Sequence, residues 1–302
     1  STNHTLHLVA MAKAAGIILT LQDMSDLSET VPLLARVYPN GLADVNHFHA
    51  AGGMPFLIRE LIDGGYMHGD AKSVMGNGMY EHTKEPKLSG DHLVFEDSPK
   101  ESGSAKILTK HDEPFAATGG LKMITGNLGT AVSKISAVKE DRRIIEAPAI
   151  VFHDQHEILD AFKAGKLERD FVAVLRFQGP KANGMPELHK MVPPLGVLQD
   201  RGFKVALITD GRMSGASGKI LSAIHLTPEA VDGGPISKVR DGDMIRLDAT
   251  SGKLELLVDD QTLSKRRKPR VDLSGNESGL GRELFANFRA SVGTSAQGAG
   301  VF

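Results

Sequence analysis

The chain has 302 residues, with 35 Lys and Arg against 37 Asp and Glu for a formal net charge of −2, which is long enough for a large core and two units. That balance, with 3 Tyr, 12 Phe and no Trp, gives no bulk signal for nucleic acid or an anionic membrane, and no apolar run reaches the roughly 18 residues of a spanning helix. The absence of cysteine excludes disulfides, thiolate zinc sites and an iron–sulfur cluster ligated by this chain itself.

Residues 1 to about 78 read as α/β. Ser1-Thr2-Asn3-His4 leads straight into a helical pattern of Leu6, Leu8, Val9, Ala12 and Ala15, stopped by Gly16. With no initiator Met, charged n-region or cleavage site, the chain is expected to be cut from something longer. Residues 16–21 read as a short buried strand. Ser25 or Asp26 then caps a helix carrying Leu27, Val31, Leu33, Leu34 and Val37, broken at Pro39-Asn40-Gly41. Residues 44–53 read as a loop, and Pro55 fits the first turn of a helix ended by Gly64-Gly65.

The polar, charged stretch from about 80 to 100 suggests a junction, dividing the chain into 1–85, the end of an α/β domain, and 86–302. Short strand-like runs follow at Leu93-Val94-Phe95, Ala105-Lys106-Ile107-Leu108, Leu121-Lys122-Met123-Ile124 and 131–135. A βαβ unit comes next, with a strand at 149–152, a helix around Ile158, Leu159 and Phe162, and the strand 171–177. Strands at 244–247 and 254–258 turn through Ser251-Gly252-Lys253 as a hairpin. A basic run (Lys265, Arg266, Arg267, Lys268, Arg270) precedes a short helix near 282–290 and a Gly/Ser/Ala tail. Many short strands with a few crossovers predict an α/β chain built on a mixed β-barrel with α/β insertions.

The chemistry concentrates at 177–222. Two apolar runs, 171–177 and 204–209, each end in a glycine-rich loop, and Met185 to Arg201 reads as helical with Pro194 interrupting and Gly202 as its stop. Loops at parallel strand ends are where such layers present reactive groups. GPKANG at 179–184 could cradle an anion on its amides with Lys181 aimed at it, or could be a tight turn. Glu187, early in the expected helix, is a candidate metal ligand, although the helix dipole favours an acid there anyway. DGRMSGASGK at 210–219 crowds an acid, two cations and two hydroxyls together. Ser214 there could act as a base, since a serine that sheds its proton needs a nearby cation or metal. The structural alternative is a polar loop capping a following helix through Ser217. His47 and His49, and His4 and His7, are spaced as possible ligand pairs but also suit surface or satisfied loop positions. The 265–270 run is a solvated face, or a place for a phosphate.

Asn3-His4-Thr5, DVNHFHAAGGMP at 44–55, GPK at 179–181 with GMPE at 184–187, and TDGRMSG at 209–215 occur in one order. Together they resemble the dihydroxyacid/6-phosphogluconate dehydratase family over nearly the whole chain. The histidine-bearing NHFHAAGG stretch and Asn3-His4-Thr5 favour the 6-phosphogluconate branch. The resemblance implies an α/β domain followed by a barrel like the swivelling domain of aconitase. It also implies dehydration of 6-phospho-D-gluconate to 2-dehydro-3-deoxy-6-phosphogluconate in the Entner–Doudoroff route of gluconate utilization.

The implied cofactors are an iron–sulfur cluster, with 4Fe–4S favoured over 2Fe–2S, and Mg or Mn. Ser214 matches the family's base for the C2 proton and Glu187 its metal-binding glutamate, with Lys181, Arg212, Asn3 and His49 as substrate-binding candidates. A cytoplasmic homodimer is implied, with a phosphorylated sugar acid as partner and neither nucleic acid nor membrane. The family's cluster cysteines have no counterpart here, so the chain is expected to be a C-terminal fragment, inactive alone. The alternatives are another sugar-acid or dihydroxyacid dehydratase, or a non-catalytic swivel subunit docking on a cluster-bearing partner.

Overall fold

The computed structural model describes residues 1–215 and 217–302; Ala216, in the second glycine loop, lies outside them. The chain forms two compact units, one of residues 1–25 with 121–302, the other of residues 26–120. The junction expected at 85/86 falls inside the strand Lys84–Ser89 of the second unit.

The first unit is a closed mixed barrel of eight strands. In chain order they are β1 (Leu121–Gly126), β2 (Gly129–Lys134), β3 (Ile144–Phe152), β4 (Phe171–Leu175), β5 (Val205–Thr209), β6 (Ser222–Thr227), β7 (Met244–Asp248) and β8 (Lys253–Leu256). Their order around the barrel is β6-β2-β1-β8-β7-β3-β4-β5, and β5 pairs with β6 to close it. The run β3-β4-β5-β6 is parallel. The hairpins β1-β2 and β7-β8 are antiparallel, as is β7 on β3.

The two central parallel strands explain their own sequences. All five residues of β4 (FVAVL) and all five of β5 (VALIT) are buried, because parallel strands are covered on both faces. Successive side chains alternate between faces. Val172, Val174, Ala206 and Ile208 join the barrel interior with Ile124, Leu247 and Leu254. Phe171, Ala173, Val205 and Leu207 pack outward onto Ile158 of the helix Gln155–Lys163 and Leu195 and Leu198 of the helix Val192–Asp200. Those two helices are the β3-to-β4 and β4-to-β5 crossovers. The mixed barrel with α/β insertions is therefore the observed fold of this unit.

In the second unit, Ala51, Phe56 and Leu108 make a small core beneath the helices Val45–Ala50 and Gly53–Asp63. A hairpin pairs Lys84–Ser89 with His92–Asp97. Among the described residues no helix is long and apolar enough to cross a membrane.

Several local expectations are corrected. Residues 16–21 form no strand: Ile17 and Ile18 are 61% and 89% exposed, and Thr20 exchanges hydrogen bonds with Asp23 to start the helix Leu21–Thr30. That helix begins before Ser25, whose hydroxyl instead accepts from the Met123 amide at 3.1 Å. Leu33 and Ala35 lie in extended bridges to Ala116 and Leu108 rather than on a helix. Residues 45–50 are helical, because Asp44 and His47 close a capping box. The expected strand at 105–108 is only that single bridge at Leu108.

Candidate active site

The two glycine loops leave the carboxyl ends of neighbouring parallel strands β4 and β5. The first loop is closed from inside. Gly179 precedes a single helical turn, Pro180–Asn183, ended by Gly184 at φ +69°. The exposed amides of that turn are already used: the Glu229 carboxylate accepts from Lys181 N at 3.0 Å and Ala182 N at 3.2 Å. A Cβ at position 179 would collide with that same carboxylate, so the close approach requires glycine. Burial pushes the Glu229 carboxyl up to about 6. Lys181 Nζ binds both oxygens of Asp232, at 2.9 and 2.8 Å. The anion cradle expected here thus holds the chain's own carboxylate, and the charge of Lys181 is matched by Asp232.

The second loop is anchored at its base. Asp210 is fully buried, and its carboxylate accepts from the amides of Phe177 (3.1 Å), Gln178 (2.9 Å) and Ala230 (2.8 Å). One side chain therefore ties the first loop, the second loop and the chain beyond β6. The Thr209 hydroxyl accepts from Gly211 N at 3.0 Å. A Cβ on Gly211 would lie 2.7 Å from Gln178 Cβ and 2.8 Å from Leu188 Cδ1, so the loops touch only because this residue has none.

Glu187 and Arg212 sit side by side in a parallel bridge, with Leu188 N donating to Arg212 O at 3.2 Å. Glu187 is not on a helix, as the pattern suggested; Pro193 and Pro194 belong to the first turn of a helix that begins only at Val192. Arg212 donates through Nε to Met185 O at 2.8 Å, and its Nη1 lies 3.5 Å from Glu187 Oε2. Ser214 follows two residues later, partly exposed, its carbonyl accepting from Ser217 N at 3.0 Å. No helix follows Ser217; the chain enters β6. At Gly215 a Cβ would come within 2.7 Å of Ser1 Oγ, which brings the start of the chain against this loop.

The N-terminal helix His4–Ala14 contributes more here. Asn3 precedes it, and its Oδ1 is buried with no hydrogen-bond partner among the described residues. Thr5 Oγ1 lies 3.1 Å from His225 Nδ1. His225 is buried in β6 at φ +58°, its amide donating to Gly211 O at 3.0 Å, while its Nε2 has no partner among the described residues. Burial, reinforced by the charges of Arg212 and His7, pushes this imidazole down to about 3, so it is neutral at ordinary pH. A left-handed backbone at a non-glycine residue is strain that the surroundings must hold in place. Nearby, burial also lowers the pKa of the Lys134 amine at the end of β2.

A cavity of about 660 Å³ opens beside Arg212, with His7, Met185, Arg282 and Arg289 among its lining residues. His49 belongs to the other unit, where its Nε2 lies 3.8 Å from Glu85. His47 there binds Asp44 at 2.7 Å as part of the helix cap.

Sequence reasoning singled out Glu187, Arg212, Ser214 and Asn3, and the barrel unit carries all four. It missed His225, Glu229, Arg282 and Arg289. His225 had a faint signal, as the one strongly polar ring in the apolar run SAIHL. Glu229 had none, because it reaches the first loop from far along the chain. Among the described residues no group of three or more His, Cys, Asp or Glu side chains converges as a metal site. Glu187 offers one carboxylate to a divalent cation, and no thiolate is available for a cluster.

A mixed barrel whose parallel strands end in two interlocked loops, one carrying Glu187 and the other Arg212 and Ser214, defines a protein that presents an acid, a cation and a hydroxyl together. The model of the dihydroxy-acid/6-phosphogluconate dehydratase C-terminal domain matches residues 106–299, and that of the N-terminal domain matches residues 1–82. The chain belongs to this family. It is 61% identical over its whole length to a phosphogluconate dehydratase of Rhizobium meliloti (strain 1021), of which it covers 50%. It is 55% identical over 99% of its length to that of Escherichia coli (strain K12), again covering 50%. A dihydroxy-acid dehydratase of Mycobacterium sp. (strain JLS) is 36% identical over 99% of the chain and 49% of the relative. The chain thus spans about half the length of the curated relatives it matches.

Proposed function

We propose that this chain is the barrel-bearing half of a phosphogluconate dehydratase, a hydro-lyase converting 6-phospho-D-gluconate to 2-dehydro-3-deoxy-6-phospho-D-gluconate. The observation that carries the reading is the bridge holding Glu187 against Arg212, two residues from Ser214. In this reaction the C2–H and C3–O bonds break, and the C2 proton and C3 hydroxyl leave as water. The resulting enol takes a proton at C3 and loses the proton of its C2 hydroxyl, becoming the 2-keto acid. Ser214 is the base for the C2 proton, and Arg212, two residues earlier in the same loop, is the cation this chain offers to favour the alkoxide form it needs.

The chain's residues fit the expected cofactors only in part. Glu187 supplies one oxygen donor for Mg or Mn, and the sequence has no cysteine for an iron–sulfur cluster. Other ligands would come from outside this chain, and this chain alone is inactive. The reading places the enzyme in the cytoplasm, as a homodimer, in the Entner–Doudoroff route.

The test is keto-acid formation from 6-phospho-D-gluconate by a full-length protein carrying this sequence. Ser214→Ala is expected to lower kcat about a hundred- to ten-thousandfold, the usual worth of a positioned base, while circular dichroism stays unchanged. Turnover by the Ser214→Ala protein at the parent rate would overturn the assignment. Turnover of unphosphorylated aldonates alone would point to a different dehydratase.

A further inference from the structure

We propose that the cavity of about 660 Å³ beside Arg212 binds the phosphoryl group of the substrate through Arg282 and Arg289. This rests on the functional reading above and extends it to the far end of the sugar acid. His7, Arg212, Arg282 and Arg289 line the cavity, and among the described residues no Asp or Glu does.

Both new arginines are held by neutral groups. Arg282 donates to Asn276 O at 2.6 Å, Asn183 O at 3.2 Å and Asn183 Oδ1 at 2.7 Å. Arg289 donates to Arg282 O at 2.9 Å and Glu277 O at 3.3 Å. Carbonyls fix a guanidinium without cancelling its charge, so two planar donors are oriented in advance for an oxyanion. Glu283 feels the Arg289 charge, but its carboxylate accepts from the Gly279 amide at 2.7 Å and lies outside the lining.

Position and strain agree. Arg212 and Met185 line the cavity and are also joined at 2.8 Å next to Glu187, so the cavity continues from the reactive loops. Met185, Leu280 and Ala299 line it with φ of +54°, +53° and +50°, a concentration of strained backbone typical of ligand sites. Phe285 and Phe288 supply an apolar wall that strengthens a charge pair inside. Other candidate anion contacts are already engaged: Glu229 fills the first loop, Asp232 pairs Lys181, and Asp243 pairs Arg266 of the basic run, whose remaining cations lie outside the cavity lining.

The experiment uses the full-length protein. Arg282→Gln and Arg289→Gln are each expected to raise KM for 6-phospho-D-gluconate about tenfold or more, the worth of one charge-assisted hydrogen bond. Inhibition by inorganic phosphate should weaken in parallel, with kcat changed much less. Arg289→Lys, which keeps the charge, should recover part of the loss. Arg267→Gln, on the exposed basic run, should leave KM unchanged. Unaltered KM and phosphate inhibition in both glutamine variants, with the fold intact by circular dichroism, would overturn the proposal, as would a raised KM for Arg267→Gln. If the parent protein does not turn over 6-phospho-D-gluconate, the functional reading fails separately. Calorimetric titration with inorganic phosphate then decides the site: binding lost in the arginine variants supports it, and binding retained removes it.

Discussion

Asp210 is the side chain on which both loops depend. Its two oxygens accept three backbone amides, with Oδ2 taking Phe177 and Ala230 and Oδ1 taking Gln178. All of this is buried. A buried amide left without a partner costs about 1–3 kcal/mol. In Asp210→Asn the amide oxygen can replace Oδ2 and keep two of the three donors. The Gln178 amide then faces an NH2 group, so the variant should lose about 1–3 kcal/mol, with some further loss of charge assistance. Asp210→Ala orphans all three donors, for about 3–9 kcal/mol, which is comparable with the whole stability of a typical domain at about 5–15 kcal/mol.

The expected order is therefore parent, then Asn, then Ala, with the last step the larger. Urea midpoints give the order, and hydrogen exchange read on peptides containing 177–178 and 230 gives the location. In Asp210→Asn the protection of Gln178 should fall while that of Ala230 persists. An Ala variant no less stable than the Asn variant, or loss of protection spread evenly over the barrel, would refute the idea that this carboxylate ties the loops together.

Two pH effects follow from buried groups beside the same loops. Glu229 has its folded pKa raised from 4.5 to about 6, so its contribution is fully present below the unfolded value and is lost as pH rises through the folded one. That amounts to at most about 2 kcal/mol, and Glu229→Gln should flatten the stability profile over this window. His225 runs the other way: its pKa is lowered from 6.5 to about 3, so stability present above the unfolded value falls with decreasing pH by up to about 1.4 kcal/mol per pH unit. Its ring resonances should show no titration at pH 5, and an imidazolium signal there would contradict the burial argument.

The barrel was legible where burial writes itself into sequence. β4 and β5 are short, almost wholly apolar runs ended by glycine, and the hairpin β7-β8 has its turn residues in place. The errors lie where that signal is weak. The strand Lys84–Ser89 is largely exposed, so it reads as a polar junction, whereas 93–95 in its partner His92–Asp97 carry enough apolar residues to read as strand-like. The segment 16–21 looked like a buried strand because Ile17, Ile18 and Leu19 are apolar, yet no strand pairs with it among the described residues and Ile18 faces solvent. In the candidate site, Glu187 and Ser214 each stand in a compact motif that a sequence reading singles out. Arg282 and Arg289 stand in no such motif, since only the folded chain brings the C-terminal segment back to Asn183.

The two glycine loops look alike in sequence but have opposite electrostatic fates. The first spends its free amides on Glu229, which pins the turn Pro180–Asn183 from within. That turn then aims cations: Asn183 holds Arg282 through its carbonyl and side-chain oxygens, and Met185, just beyond, holds Arg212. Had the loop bound an external phosphate on its own amides, those amides could not also be fixed before the ligand arrives. By satisfying them internally, the fold turns a potential binding loop into a rigid support, and the oxyanion role passes to guanidinium groups whose positions are set in advance. Rigid donors lose little freedom when a ligand binds. An internal anion in the first loop thus fixes the turn that holds Arg282 through neutral oxygens, while Arg212, just beyond it, keeps its guanidinium 3.5 Å from Glu187.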